Sequence, residues 1–171
     1  TATTEIYTLT LHDALPISYE KKKSADGKYA VKFEEYYSTE LWANTMQQLK
    51  SVYDSVPAEA KSSCLLWGKH YRQAGAISLF RNEYGLPPAF SYHGSFYSWA
   101  PSGPMPQTVV ALSNKVSGFF EQYFTDVKKV RAIYNPYSYE DEASYQYIYI
   151  CQNPKQDFDK MKELFRHRIF E

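Results

Sequence analysis

Between Thr39 and Ser55 the apolar side chains Trp42, Met46, Leu49, Tyr53 and Val56 recur at the spacing of one helical face. Ser38 or Thr39 is placed to cap the start, Glu40 suits the first turn, and Pro57 marks the stop. Cys64-Leu65-Leu66-Trp67 is a short unbroken apolar run closed by Gly68, the pattern of a strand covered on both faces. A second helical pattern sets Ala76, Ile77, Phe80 and Tyr84 on one side. It ends at Gly85, which can take a positive φ, with Pro87 just beyond. Ala89–Tyr92 predicts another strand, and the prolines and glycines of 93–107 predict a loop.

Thr108–Leu112 is the clearest strand pattern. After it, Ser113 or Asn114 is placed to cap a helix whose Val116, Phe119, Phe120, Tyr123 and Phe124 would share a face. Val127–Tyr134 reads as extended, and Tyr145–Cys151 reads as a strand on β propensity. Asn153-Pro154 predicts a turn into a last helix bearing Phe158, Met161, Phe165 and Ile169. Asp157 and Asp159 at its start and Arg166, His167 and Arg168 at its end complement the helix dipole.

Strands alternating with helices predict an α/β fold: a layered domain with a small, largely parallel sheet flanked by helices. Residues 38–171 form this single domain. Residues 19–37, which open on Lys21-Lys22-Lys23 and carry a turn signal at Asp26-Gly27, read as a linker. Tyr7–Ile17 resembles, at every position but Thr10, the translation of a common short-read sequencing adapter. Residues 1–18 are therefore expected to be an artefact and carry no structural argument, including the tempting pair His12 and Asp13.

Composition narrows the function classes. Aromatic residues make up 18% of the chain, including 17 Tyr. That abundance suits a Tyr-rich core reaching the surface, or a surface facing sugars or membrane headgroups. Lys plus Arg and Asp plus Glu are 19 each, so no basic footprint for nucleic acid is present. No apolar run is long enough to span a bilayer. Cys64 and Cys151 lie in separate buried-strand patterns and read as small hydrophobes, without metal-ligand spacing.

Candidate chemistry is sparse. The turn after Gly68 leads into Ala74-Gly75-Ala76, where small residues at a helix start would admit an anion such as phosphate. The same Gly75 would equally serve close helix–strand packing, and the dinucleotide fingerprint is absent. His70 and His93 are of the residue type that serves as acid or base at neutral pH, but no acidic or cysteine neighbour stands at ligand spacing, so no metal site and no cofactor is expected. His93-Gly94-Ser95 runs into Phe96, Tyr97 and Trp99, an aromatic loop able to stack on a sugar or to fold over the core as a lid. Glu140-Asp141-Glu142 reads as a solvated hairpin tip, and no nucleophile elbow occurs. No catalytic residue is assigned.

The stretch HYRQAGAISLFRNEYGLP at 70–87, followed by Ser91, His93, Tyr97, Trp99 and Pro101, resembles the C-terminal soluble domain of bacterial glycosyltransferases of the dolichyl-phosphate-mannose protein mannosyltransferase type. There a strand leads into Tyr-Gly-Glu-Ala-Gly-Ala-Ile, a helix, Tyr-Gly-Leu-Pro, then Ser-Gly-His-Asn, an aromatic residue and Trp-Gly-Pro. Arg72 and Gln73 replace the Gly-Glu pair, Tyr92 and Gly94 flank the histidine differently, and Ala100 precedes the proline. Asn135-Pro136-Tyr137, Ile148–Cys151 and the closing helix through Arg166-His167 extend the likeness, which covers about residues 38–170.

The resemblance implies an extracytoplasmic accessory domain of a polytopic enzyme that transfers sugar from a polyprenyl-phosphate donor. The catalytic acids of that family lie in a membrane-part loop that nothing here matches, so the chain by itself is expected not to catalyse. Implied partners are the transmembrane part of the same protein and a lipid-linked sugar or acceptor, on the outer face of the cell membrane. Tyr71, Gln73, Gly75, His93, Tyr97 and Trp99 are the expected ligand-binding residues. The alternatives are a free-standing α/β module for a sugar or phosphorylated ligand, and a structural plug on the membrane part.

Overall fold

The computed structural model describes residues 22–23, 29–30, 38–135 and 145–167. The adapter-like segment, Glu140-Asp141-Glu142 and Ile169 lie outside the described residues. The chain divides into two units, Thr1–Tyr36 and Tyr37–Glu171. Within the first, β1 (Lys22–Lys23) pairs antiparallel with β2 (Tyr29–Ala30), bracketing the Asp26-Gly27 signal.

The second unit runs α1 (Ser38–Asp54), α2 (Ala58–Lys61), β3 (Leu65–Gly68), α3 (Tyr71–Tyr84), β4 (Ala89–Phe90), α4 (Phe96–Trp99) and β5 (Thr108–Ser113). It continues through a 3₁₀ turn (Phe120–Gln122) to β6 (Phe124–Tyr134), β7 (Tyr145–Pro154) and α5 (Phe158–Phe165). The five strands form one sheet in the order β4-β3-β5-β7-β6. β3 pairs parallel with both β4 and β5, as a strand–helix–strand crossover requires. β7 pairs antiparallel with β5 and with β6, so the sheet of this α/β domain is mixed.

Alternation along the strands sorts the core into two layers. Leu66, Val110, Leu112 and Ile148 point to one side, where Met46, Leu49 and Val52 of α1 and Ile77 of α3 cover them. Trp67, Val109, Ala111, Tyr149 and Cys151 point to the other side, under Phe158, Met161 and Phe165 of α5. All six residues of β5 are buried, because both layers cover it. Gly85 closes α3 at φ 59°, with its N–H donating to the Arg81 carbonyl, the stop expected of it.

Two sequence expectations fail in physical detail. No helix forms after β5. Gly118, at φ 83°, turns the chain, and only the 3₁₀ turn follows before β6 begins. Phe119, Phe120, Tyr123 and Phe124 instead surround Trp67, Phe120 at a ring-centroid distance of 5.1 Å and Phe119 at 5.7 Å. Much of the aromatic excess is thus core. Phe90, Tyr92 and Phe165 complete the shell around the same indole. The turn expected at Asn153-Pro154 is also absent, because β7 runs on through both residues with Asn153 at φ 56°. Within 93–107, Phe96–Trp99 forms one helical turn.

Candidate functional site

β3, β4 and β5 deliver three turns to one end of the sheet, at their carboxyl ends, where binding sites of open α/β sheets gather. Lys69 and His70 follow β3, Ser91–His93 follow β4, and Asn114 and Lys115 follow β5. Ser91 stitches the first two turns together. Its hydroxyl donates to the Lys69 carbonyl at 3.4 Å and accepts the His93 N–H at 3.2 Å. The imidazoles of His70 and His93 lie 4.0 Å apart with their planes tilted by 32°, and the Tyr71 ring stacks on His93 at 5.2 Å.

α3 opens at Tyr71, a full turn before the expected Ala74-Gly75-Ala76, with His70 as its N-cap. His70 Nδ1 accepts the Arg72 N–H at 3.3 Å, and the His70 carbonyl accepts the Gln73 N–H at 3.0 Å. Gln73 answers by accepting the His70 N–H on Oε1 at 2.8 Å, which completes a capping box. Its Nε2 donates to Gln146 Oε1 on β7 at 2.7 Å. Gln73 is buried with both ends of its amide engaged, so here it ties helix, turn and sheet together.

Gly75 therefore sits in the second turn of α3, and a Cβ there would meet nothing within 4 Å. The close helix–strand approach belongs to Gly68 instead: its Cβ would lie 2.8 Å from Ala74 Cα. Tyr97 donates its hydroxyl to the Lys162 carbonyl at 3.0 Å, which pins α4 against α5, and Lys162 Nζ rides over its ring. Trp99 is 71% exposed and touches Phe96 edge-on. Of the six residues expected to bind, the structure brings Tyr71 and His93 together. It gives Gln73 and Tyr97 structural bonds, and leaves Gly75 and Trp99 with open surface.

Lys69 and His70, absent from the expected set, lie beside this pair. Lys69 Nζ lies over the Phe119 ring at 4.9 Å, and burial followed by the neighbouring Lys115 charge holds its pKa below the ordinary value. His70 is pushed down to about 4 by burial first, then by His93, Arg72 and Lys69. His93 is likewise lowered, by burial and then Lys69, and its Nδ1 is buried without a hydrogen bond. Among the described residues, the charges that shift these three groups are positive. The strand-end position of Lys69 was legible in the sequence. That of Lys115 was hidden by the helix expected to start beside it.

Among the described residues no group of His, Cys, Asp and Glu is arranged to hold a metal, and no helix is long and apolar enough to cross a membrane. Cys64 and Cys151 are free and buried in opposite layers. Comparison of the chain with family models, curated proteins and solved structures brings no match.

Proposed function

We propose that this chain is the extracytoplasmic accessory domain of a polytopic glycosyltransferase that uses a polyprenyl-phosphate sugar donor, and that it recognises rather than transforms. One observation carries the reading. Two separate stretches of the family-like motif, 70–77 and 91–97, converge at the carboxyl ends of β3 and β4, where Tyr71 and His93 stack. Strand carboxyl ends are where open α/β sheets bind their ligands. The chemistry of that surface fits recognition. His70 and His93 lie beside each other and beside cations, with no carboxylate among the charges of described residues that shift them.

The test has two arms. An in-frame upstream sequence from a clean assembly is expected to encode about ten or more apolar stretches of ~20 residues. A start codon and signal peptide just ahead of Lys21 would exclude the reading. In the second arm, the purified chain is incubated with polyprenyl-phosphate sugars and is expected to give neither transfer nor hydrolysis. Turnover that a single substitution in this chain abolishes would show a catalyst instead.

A further inference from the structure

We infer that β6 is a docking edge for an extended acidic segment of another protein, which adds to the sheet as a further strand. The inference does not rest on the proposed function and holds for any parent of this domain.

The backbone supplies the first half of the argument. β6 is the terminal strand of the five, and among the described residues it pairs only with β7. Its register on β7 is unbroken from Phe124 to Lys129, and the slip comes between Lys129 and Arg131. β7 is itself paired along β5 from Thr108 to Ser113, so the ladder behind β6 is continuous. A strand backed in this way holds its own N–H and C=O groups in place before a partner arrives, which lowers the ordering cost of adding a strand.

Charge indicates which strand it takes. Successive residues of a strand point to opposite faces, so Lys128 and Lys129 put a cation on each face. Lys128 pairs with Ile150 and Arg131 with Ile148, and both share the face of those isoleucines. Lys129 pairs with Tyr149 on the other face, and its Nζ rides over the Tyr147 ring at 5.2 Å. All three cations are exposed. The ion pairs found among the described residues involve Lys50, Lys61 and Lys160 instead. Asp126 is the acid of this strand, and its carboxylate accepts from Asn153 Nδ2 at 2.6 Å.

Opposite charges directly across a strand pair attract, and like charges repel. An incoming segment with two successive acids across from Lys128 and Lys129 meets both cations at once. A segment whose acids alternate meets one face only. Asp126 then fixes the register, because the residue across from it must be neutral or basic. The same two-faced arrangement favours a strand over a flat anionic surface, which would touch the cations of a single face.

The full chain is titrated with a short capped peptide, Thr-Val-Glu-Glu-Val-Thr, while backbone amide signals are followed by NMR. Saturable shifts along β6 are expected at or below about 1 mM, weakening as salt is raised towards about 0.5 M. Lys128→Glu is expected to weaken binding about tenfold and to admit the peptide with Lys-Lys in place of Glu-Glu. Lys128→Gln combined with Lys129→Gln gives a second loss, and melting curves check that both variants remain folded. Replacing both valines of the peptide by proline keeps its charge but removes two N–H groups of opposite direction, one of which must face β6, and binding is expected to vanish. Shifts that fail to saturate, that lie away from β6, that the proline peptide reproduces or that survive both sets of substitutions would overturn the inference. Binding of phosphatidylglycerol vesicles through β6 in preference to the peptide, or self-association of the chain through β6, would overturn it in favour of a headgroup surface or a second copy.

Discussion

Gly68 and Ala74 meet backbone to backbone: a Cβ on Gly68 would lie 2.8 Å from Ala74 Cα and closer still to its amide nitrogen. That approach lets α3 start directly over the end of β3. Gly68→Ala is expected to cost about 2 kcal/mol or more, because backbone cannot yield as a flexible side chain would. Gly75→Ala is expected to add up to about 1 kcal/mol, since the site is open and alanine is the better helix former. Denaturant unfolding of the two variants checks the opposite signs. Equal effects would show that the glycines are equivalent.

Gln73 links three elements through one amide. Gln73→Ala removes the capping-box partner of the His70 N–H and strands Gln146, and it is expected to cost about 1–3 kcal/mol. Gln73→Glu, the residue type of the resembled motif, retains the acceptor for His70 but loses the donor to Gln146. An intermediate loss is expected, and the double variant with Gln146→Ala measures the coupling directly.

Trp99 offers the simplest separation of surface from core. With 71% of it exposed, Trp99→Ala is expected to change stability by no more than about 0.5 kcal/mol. Trp67→Ala, at the centre of the aromatic shell, is expected to cost about 3–5 kcal/mol. Thermal melts of both variants decide this. A large loss at Trp99 would place it under other residues.

Stability should depend on acid through His70. Its folded pKa is near 4 against 6.5 for the ordinary ring, so between these values the unfolded chain binds more protons. The contribution is complete above pH 6.5 and is lost as pH falls towards 4. Its size is about 1 kcal/mol once solvent screening at a partly exposed ring is allowed for. His70→Asn retains a capping side chain without titrating, and its urea midpoint should fall less between pH 7 and pH 4.5 than that of the parent.

The cysteines should be inert until the protein unfolds. Burial raises both thiol pKa values, and the two side chains lie on opposite faces of the sheet. Thiol labelling is expected to be complete in denaturant and slow in buffer, with no change in melting temperature on adding reductant. Rapid labelling of the native chain would contradict the packing.

The β3–α3–β4 unit was legible because each signal is local: an apolar run, a helical stripe and the left-handed stop at Gly85. What failed depends on distant partners. Phe119, Phe120, Tyr123 and Phe124 have helical spacing because a 3₁₀ turn and strand entry place them around Trp67, and only Ser117-Gly118 hinted at the break. The antiparallel placement of β7 between β5 and β6 is a pairing choice that no single segment encodes. At the candidate site the motif pointed to Tyr71 and His93. The roles of Gln73 and Gly68 depended on Gln146 and Ala74, contacts that spacing does not reveal.

Among the described strands of the second unit, the eleven-residue β6 lies at the border of the sheet and pairs only with β7. Such a border is a template on which another chain can add a strand and seed aggregation. Here an arriving strand would have to lie alongside Lys128, Lys129 and Arg131 and match a ladder whose register slips between Lys129 and Arg131. Repulsion and mismatch both act against the stacking of copies along this border.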